Sequence, residues 1–355
     1  MHGRGRSGYK LRDLLVVVTL LLVAAGLIVP SVAEIREAAR RDLCANKMYN
    51  LALATMQYDT ANERLPGWAN HLCSVALPNN PEAATREVPS TWAFELLPFL
   101  GQSQLYDLYG PMSGDAARRC FAGGVPQETL SGFICPTDAD RGKSMSYVVN
   151  CGLRDRYDWN TTNIQTGKAW GSRHDFKELE PPANGVFHNN YAPGGLEQTK
   201  MLRTFNTLGL RYVGDGSACT VLLSENVDAG DWYGQFKNST PEIYEGAVCF
   251  CWTAADPVAA GENPNNGMRI NARRGQDTQS RRSPRPSSYH GSGVNVIFCD
   301  AHMSFISDQV DWLTWCLLFT PNGRQVMVPG NQRFGQPIPE TLLDAFRYTP
   351  LNAKF

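Results

Sequence analysis

Three residues toward the C-terminal end, His290, Asp300 and His302, are the types best able to do chemistry together. Two imidazoles and one carboxylate form a set capable of holding a divalent metal. Their spacing does not demand one, and the simpler reading is structural: His290, on a loop entering a strand, hydrogen-bonds the strands or the Asp300 carboxylate. Glu225 is a second candidate, an acid just after the β-prone run Thr220–Leu223. Acid catalysis by a carboxyl group leans on a second titratable group of different environment. No spacing supplies one, so Glu225 reads as a buried, hydrogen-bonded acid at a strand end. Asp138 and Asp140, in CPTDAD, lack the alternating oxygens and terminal bidentate acid of a calcium loop, and read as turn residues. HExxH, a Walker A loop, a GxSxG elbow and a GxGxxG fingerprint are all absent. The chain is read as non-enzymatic, with no catalytic residue, no cofactor and no metal ligand assigned.

Cysteine is the other reactive type. Ten stand at positions 44, 73, 120, 135, 151, 219, 249, 251, 299 and 316. An even set in a protein outside the cytoplasm permits disulfides, but spacing does not determine their pairing. The rival is a structural zinc site, and no CxxC pair supports it. The closest pair, Cys249 and Cys251, would alternate faces on a strand. Two or three disulfides are expected, with the remaining cysteines simply buried.

The elements that must position these groups follow from pattern. Val294–Phe298 and Met303–Ile306 are β-prone runs separated by Cys299, Asp300, Ala301 and His302, which reads as a hairpin. Asp215-Gly216 reads as a turn feeding the strand before Glu225. The stretch 262–288 carries six arginines against two acids and no periodic apolar pattern, so it reads as an exposed, flexible basic loop. Ahead of all this, Ile35, Ala39, Leu43, Met48, Leu51, Thr55 and Tyr58 recur mostly at three- and four-residue steps. That marks one apolar stripe of a helix over 34–62, ending before Leu65-Pro66-Gly67.

The same helix begins earlier. Residues 14–29 carry no charge, nor do 30–33, and about 20 helical residues cross a hydrocarbon core of roughly 30 Å. Arg4, Arg6, Lys10 and Arg12 precede this span and favour a cytoplasmic N-terminus. A single pass through the cytoplasmic (inner) membrane is expected, with the C-terminal domain periplasmic or otherwise extracytoplasmic. Asp13 lies close to the apolar run, where a carboxylate costs a few kcal/mol and calls for a partner. Overall charge is balanced, 33 basic against 34 acidic residues, so no global field points to nucleic acid.

The N-terminus resembles a type IV prepilin segment: Gly8 precedes the aromatic Tyr9, and the acid Asp13 stands at the fifth place after the glycine. The resemblance implies cutting between Gly8 and Tyr9 by a prepilin peptidase, with the apolar helix retained. It also implies that Asp13 pairs with the methylated amine of a neighbouring subunit during assembly. Aspartate for glutamate, Tyr9 for phenylalanine, and the charges at Lys10 and Arg12 depart from the usual pattern. Further pieces occur in order: IREAARRDLCANKMYNLALATMQY (35–58), STWAFELLPFLGQSQLYDLY (90–109), CPTD (135–138), SYVVNCG (146–152), DGSACTVLLSEN (215–226) and YHGSGVNVIFCDAHMSFIS (289–307). Together they resemble a planctomycete-expanded, uncharacterised pilin-like family with a C-terminal His-x9-Asp-Gly motif. His290 and Asp300 fill that motif. Ala301 replaces its glycine, so the turn must be of another type or mildly strained.

The fold expected is α+β, with a long N-terminal transmembrane helix running onto an antiparallel β-sheet ectodomain with long loops. The boundaries are a leader (1–8), the membrane span (9–33), its extracytoplasmic continuation (34–62) and a globular domain (63–355). The expected role is that of a pilin-like or pseudopilin-like minor subunit of a type IV pilus or type II secretion-like system, or a protein exported through one. Its partners would be the prepilin peptidase, the lipid bilayer, and other helices of its own kind. The alternative is a single-pass extracytoplasmic module binding polysaccharide.

Overall fold

The computed structural model describes residues 11–76, 85–109, 130–138, 144–153, 183–190, 209–233, 235–237, 240–242, 248–252, 269–272, 285–326 and 344. Only the backbone is described at 13, 24–34, 73–76, 85–89, 153, 189, 235–237 and 240–242. Gly8, Tyr9, Asp140 and the side chain of Asp13 therefore lie outside the described residues.

Helix α1 (Leu11–Asn62) has 52 residues, which at 1.5 Å each makes a rod of about 78 Å. It stops at the expected place, with Glu63 in the left-handed region ahead of Leu65-Pro66-Gly67. Its two ends differ in environment. Leu14–Val18 and Leu20–Val23 are all exposed large apolar side chains, and their succession covers every face of the helix. Among the described residues, no helix is long and apolar enough to cross a membrane.

From Cys44 onward the helix is buried along Cys44, Met48, Leu51, Thr55 and Tyr58. This corrects the upper part of the expected stripe. Ile35, Ala39 and Leu43 are exposed, and the inward face continues through the half-buried Glu37 and Arg41. The period holds, but polar residues carry it. Arg41 lies over the Phe305 ring at 5.0 Å, a cation–π contact, and Glu37 reaches His290.

The strands are β1 (Ala69–Ala76), β2 (Thr85–Thr91), β3 (Tyr147–Leu153), β4 (Asn189–Asn190), β5 (Val221–Glu225), β6 (Gln235–Lys237), β7 (Thr240–Glu242), β8 (Cys249–Trp252), β9 (Gly293–Phe298) and β10 (Met303–Ser307). Five form the main sheet in the order β10-β9-β5-β3-β8. Its neighbours are antiparallel except for the β3–β8 pair, which is parallel. The sheet is thus mixed rather than purely antiparallel. The class is α+β. A smaller sheet, β2-β1-β4, and the β6-β7 hairpin complete the described strands.

Both faces of the main sheet are covered, which is why β5 and β9 are buried at every position. Tyr147, Val149, Leu222 and Ile297 pack in a core shared with α1. Val148, Val294, Val296 and Phe298 pack against helix α4 (Trp312–Phe319). Asp311 caps α4 by accepting the Thr314 N–H at 3.0 Å. Two short helices, α2 (Trp92–Glu95) and α3 (Ser103–Tyr109), flank the α1 side. There Trp232 stacks on both Phe94 and Phe133.

The hairpin β9–β10 has the expected strands, with Met303 opposite Ile297. Its connection is Cys299, Asp300, Ala301 and His302, closed by the Phe298 N–H donating to the His302 carbonyl. Ala301 sits at φ 70°, the left-handed conformation a glycine would adopt more cheaply.

Candidate functional site: a buried cluster of thiols, carboxylate and imidazole

Four chain segments converge where α1 first meets the sheet. Cys44 is the first fully buried residue on the inward face of α1. Cys135 follows a 3-10 turn, Ser131–Phe133, and its carbonyl accepts the Asp138 N–H at 2.9 Å, closing a turn. Glu225 is the last residue of β5. His290 stands three residues before β9, its N–H held by the Ser288 hydroxyl at 3.1 Å.

Their side chains meet tightly. The Cys44 thiol donates to Glu225 Oε1 at 2.6 Å. Cys135 Sγ lies 3.1 Å from His290 Nε2, and the same nitrogen is 3.2 Å from Glu225 Oε1. One ligand-type atom from each of the four falls within 4.8 Å of the others. A second ring of contacts fixes the first. His290 Nδ1 is 2.8 Å from Glu37 Oε1, and Glu37 is in turn held by Arg40 at 2.9 Å. Asn295 donates its backbone N–H to Glu225 Oε2 at 2.8 Å and its side-chain amide to Oε1 at 3.3 Å. Tyr147 places its hydroxyl 3.2 Å from Cys44 Sγ.

Electrostatics divides the two thiols. The neighbouring Cys44 thiol outweighs burial and, with His290, brings the Cys135 thiol down to about 6. Burial pushes Cys44 far up, helped by its neighbours Cys135 and Glu225, so it stays protonated. Burial alone would lower His290. Its hydrogen bonds to Cys135 and Glu225, and the Glu225 charge, overcome this and raise it to about 11. Glu37 is opposed by partial burial but held below the usual range by His290 and Arg40.

The order Cys135, His290, Glu37 repeats the nucleophile, base and orienting acid of covalent catalysis. A substrate would need a way in. Cys135, Glu225 and His290 are at most 6% exposed, and Cys44 is fully buried. A described cavity of about 490 Å³ is lined instead by Tyr58, Asn62, Arg64, Glu95, Phe99 and Tyr106 among others, and by no member of the cluster.

Several sequence expectations are rearranged. His290 and Asp300 share a motif but different sites. Asp300 takes His302 as its partner, at 2.6 Å between carboxylate and Nδ1, on the exposed hairpin tip. The three-residue set His290, Asp300 and His302 is therefore not assembled. Glu225 does sit buried at a strand end, and Asp138 does sit in a turn, buried and accepting from the Ser146 hydroxyl at 2.9 Å. No disulfide joins any two of the eight cysteines whose side chains are described, contrary to the two or three expected. Cys249 packs on the α1 side of the core and Cys251 on the α4 side, so they face different neighbours. The basic stretch 262–288 is described only at 269–272 and 285–288. Its Arg285, expected on an exposed loop, is buried and 3.1 Å from Asp228.

Sequence reading missed Glu37 entirely and treated Cys44 and Cys135 as ordinary cysteines. The available signal was the burial period of α1, on which both Glu37 and Cys44 fall.

A family model described as "Protein of unknown function (DUF1559)" matches residues 33–313. Comparison with curated proteins and with solved structures gave no match.

Proposed function

The chain belongs to this family, the proteins of unknown function DUF1559, and we propose that it is a membrane-anchored, pilin-like structural protein. In this reading a prepilin peptidase cuts between Gly8 and Tyr9, and the apolar half of α1 stays attached. Asp13 then pairs with the new amine of a neighbouring subunit. The folded head, residues 63–355, is large for dense packing along a filament. That favours a minor subunit of a type IV pilus or type II secretion-like assembly, its head outside the cytoplasmic membrane.

One observation carries this reading. Leu14–Val18 and Leu20–Val23 are apolar and exposed on all faces, on the same helix as a half whose inward face is buried against the sheet. A helix apolar all round belongs in a protein core or a bilayer. Burying such side chains is worth about 25 cal/mol per Å², so this rod seeks lipid or other helices. Crosslinking tests it. A photoreactive residue at Val17 should give helix-to-helix dimers in membranes, lost in Asp13→Ala. Recovery of the whole chain in the soluble fraction, without dimers, overturns the reading.

A second reading, a tethered polysaccharide-binding module, draws on the cavity lined by Tyr58, Phe99, Tyr106, Arg64, Asn62 and Glu95. Rings beside a few polar groups suit a sugar. Calorimetric titration with soluble glycans, and its loss in Tyr106→Ala, would favour it.

A further inference from the structure

We propose that Cys44, Cys135, Glu225 and His290 form a closed, tetrahedral site for one zinc ion that clamps helix α1 to the sheet. Two thiols, an imidazole and a carboxylate are the donor types zinc takes, and the thiol pair disfavours magnesium and calcium. Four protein donors leave no open position, and their burial leaves no path for substrate. That combination marks a structural rather than a catalytic metal.

The geometry is close to what the ion needs. Bond lengths of about 2.0–2.3 Å at tetrahedral angles give donor-to-donor edges of about 3.3–3.8 Å. The edges here are 3.2 Å from His290 to Glu225, 3.1 Å from Cys135 to His290 and 2.6 Å from Cys44 to Glu225. Each pair has to part by less than about 1 Å to receive an ion with these bond lengths. Zinc displaces the two thiol protons and takes His290 as neutral imidazole.

The outer contacts are those a metal site uses. Glu37 accepts from the far nitrogen of His290, fixing which ring nitrogen points inward. The Asn295 backbone N–H holds Glu225 Oε2 and its side-chain amide steadies Oε1, the oxygen that faces the centre. Tyr147 can donate to the Cys44 sulfur. Lys47 places its ammonium 2.9 Å from the Ile134 carbonyl, beside Cys135, where it offsets negative charge. Without an ion, this group buries acid, imidazole and thiols that a well-packed apolar set would replace at lower cost. A Cys44–Cys135 disulfide, the competing chemistry, would use neither Glu225 nor His290.

The test uses the full chain, purified in detergent under reducing conditions. Elemental analysis should find one zinc per chain, and X-ray absorption should find two sulfurs at about 2.3 Å. Cys135→Ser should lose the metal, while Cys219→Ser, away from the cluster, should keep it. Should Cys135→Ser fail to fold, Glu37→Gln serves instead. It leaves all four ligands in place and should weaken zinc affinity about 10–100-fold in competition with a chelating dye. Unchanged affinity in Glu37→Gln overturns the site. So does a metal-free chain that takes up no added zinc, whether its two thiols remain alkylatable or are joined as a disulfide.

Discussion

Glu37 and His290 lie 253 residues apart in the chain, yet Oε1 of one stands 2.8 Å from Nδ1 of the other. This contact ties the turn of α1 just before Cys44 to the loop that enters β9. Below it, the inward face of the helix, Cys44, Met48, Leu51, Thr55 and Tyr58, is buried in the core. The contact lies on the helix between the exposed apolar side chains of Leu14–Val18 and Leu20–Val23 and the face that enters the core at Cys44.

The two motif residues should respond differently to mutation. His290→Ala leaves Glu225 and Cys135 buried without their partner, and is expected to cost about 3–5 kcal/mol. Asp300→Asn, on the exposed tip and still able to accept the His302 N–H, should stay within about 0.5 kcal/mol. Denaturant unfolding of both variants in detergent checks this. Equal losses would mean that the pair acts as a unit.

Arg285 and Asp228 form a pair whose side chains are 4% and 3% exposed. Removing one charge leaves the other buried without this ion pair, so Arg285→Met should lose about 3 kcal/mol or more. The double variant with Asp228→Asn should recover part of that loss, and a double-mutant cycle reads the coupling. Strict additivity would show that the two do not interact.

Asn150 is a buried staple. Its amide donates to the Val221 carbonyl at 2.7 Å and the Phe319 carbonyl at 2.9 Å, and its oxygen accepts the Gly152 N–H at 2.9 Å. Asn150→Ala orphans these groups at about 1–3 kcal/mol each. Beyond a stability loss, hydrogen exchange should show α4 opening more readily than β9.

Asp215 supplies a pH dependence. Burial raises its carboxyl above the usual value despite the Gly323 N–H at 2.6 Å and nearby Arg324. The folded state then holds the proton more tightly than the unfolded one. Stability from this group is present below the unfolded value and falls as pH rises through the folded one. Asp215→Asn should therefore gain on the parent between acid and neutral pH, measured as the difference in unfolding midpoint at each. A constant difference would contradict the assignment.

The hairpin, the strand ending at Glu225 and the end of α1 were legible because each has a local signature: alternation, a glycine turn, a proline stop. The strain at Ala301 was legible as a missing glycine. The cluster was not, because Cys44, Cys135, Glu225 and His290 come from four separate elements and no pair has metal-ligand spacing. Pairing His290 with Asp300 failed for a geometric reason. They stand at opposite ends of β9, whose six residues span about 20 Å. Glu37 and Arg41 escaped notice because polar residues on an inward face look like solvent-facing ones until their partners are known. Arg285 was hidden similarly, by the loop-like composition around it.

The central claim, that the apolar rod remains on a processed chain, is tested most directly by intact mass and N-terminal sequencing of protein recovered from membranes. Cells supplying a prepilin peptidase should yield a chain that begins at Tyr9 with one added methyl on its amine. A chain still beginning at Met1, or one lacking residues 14–29, contradicts the account.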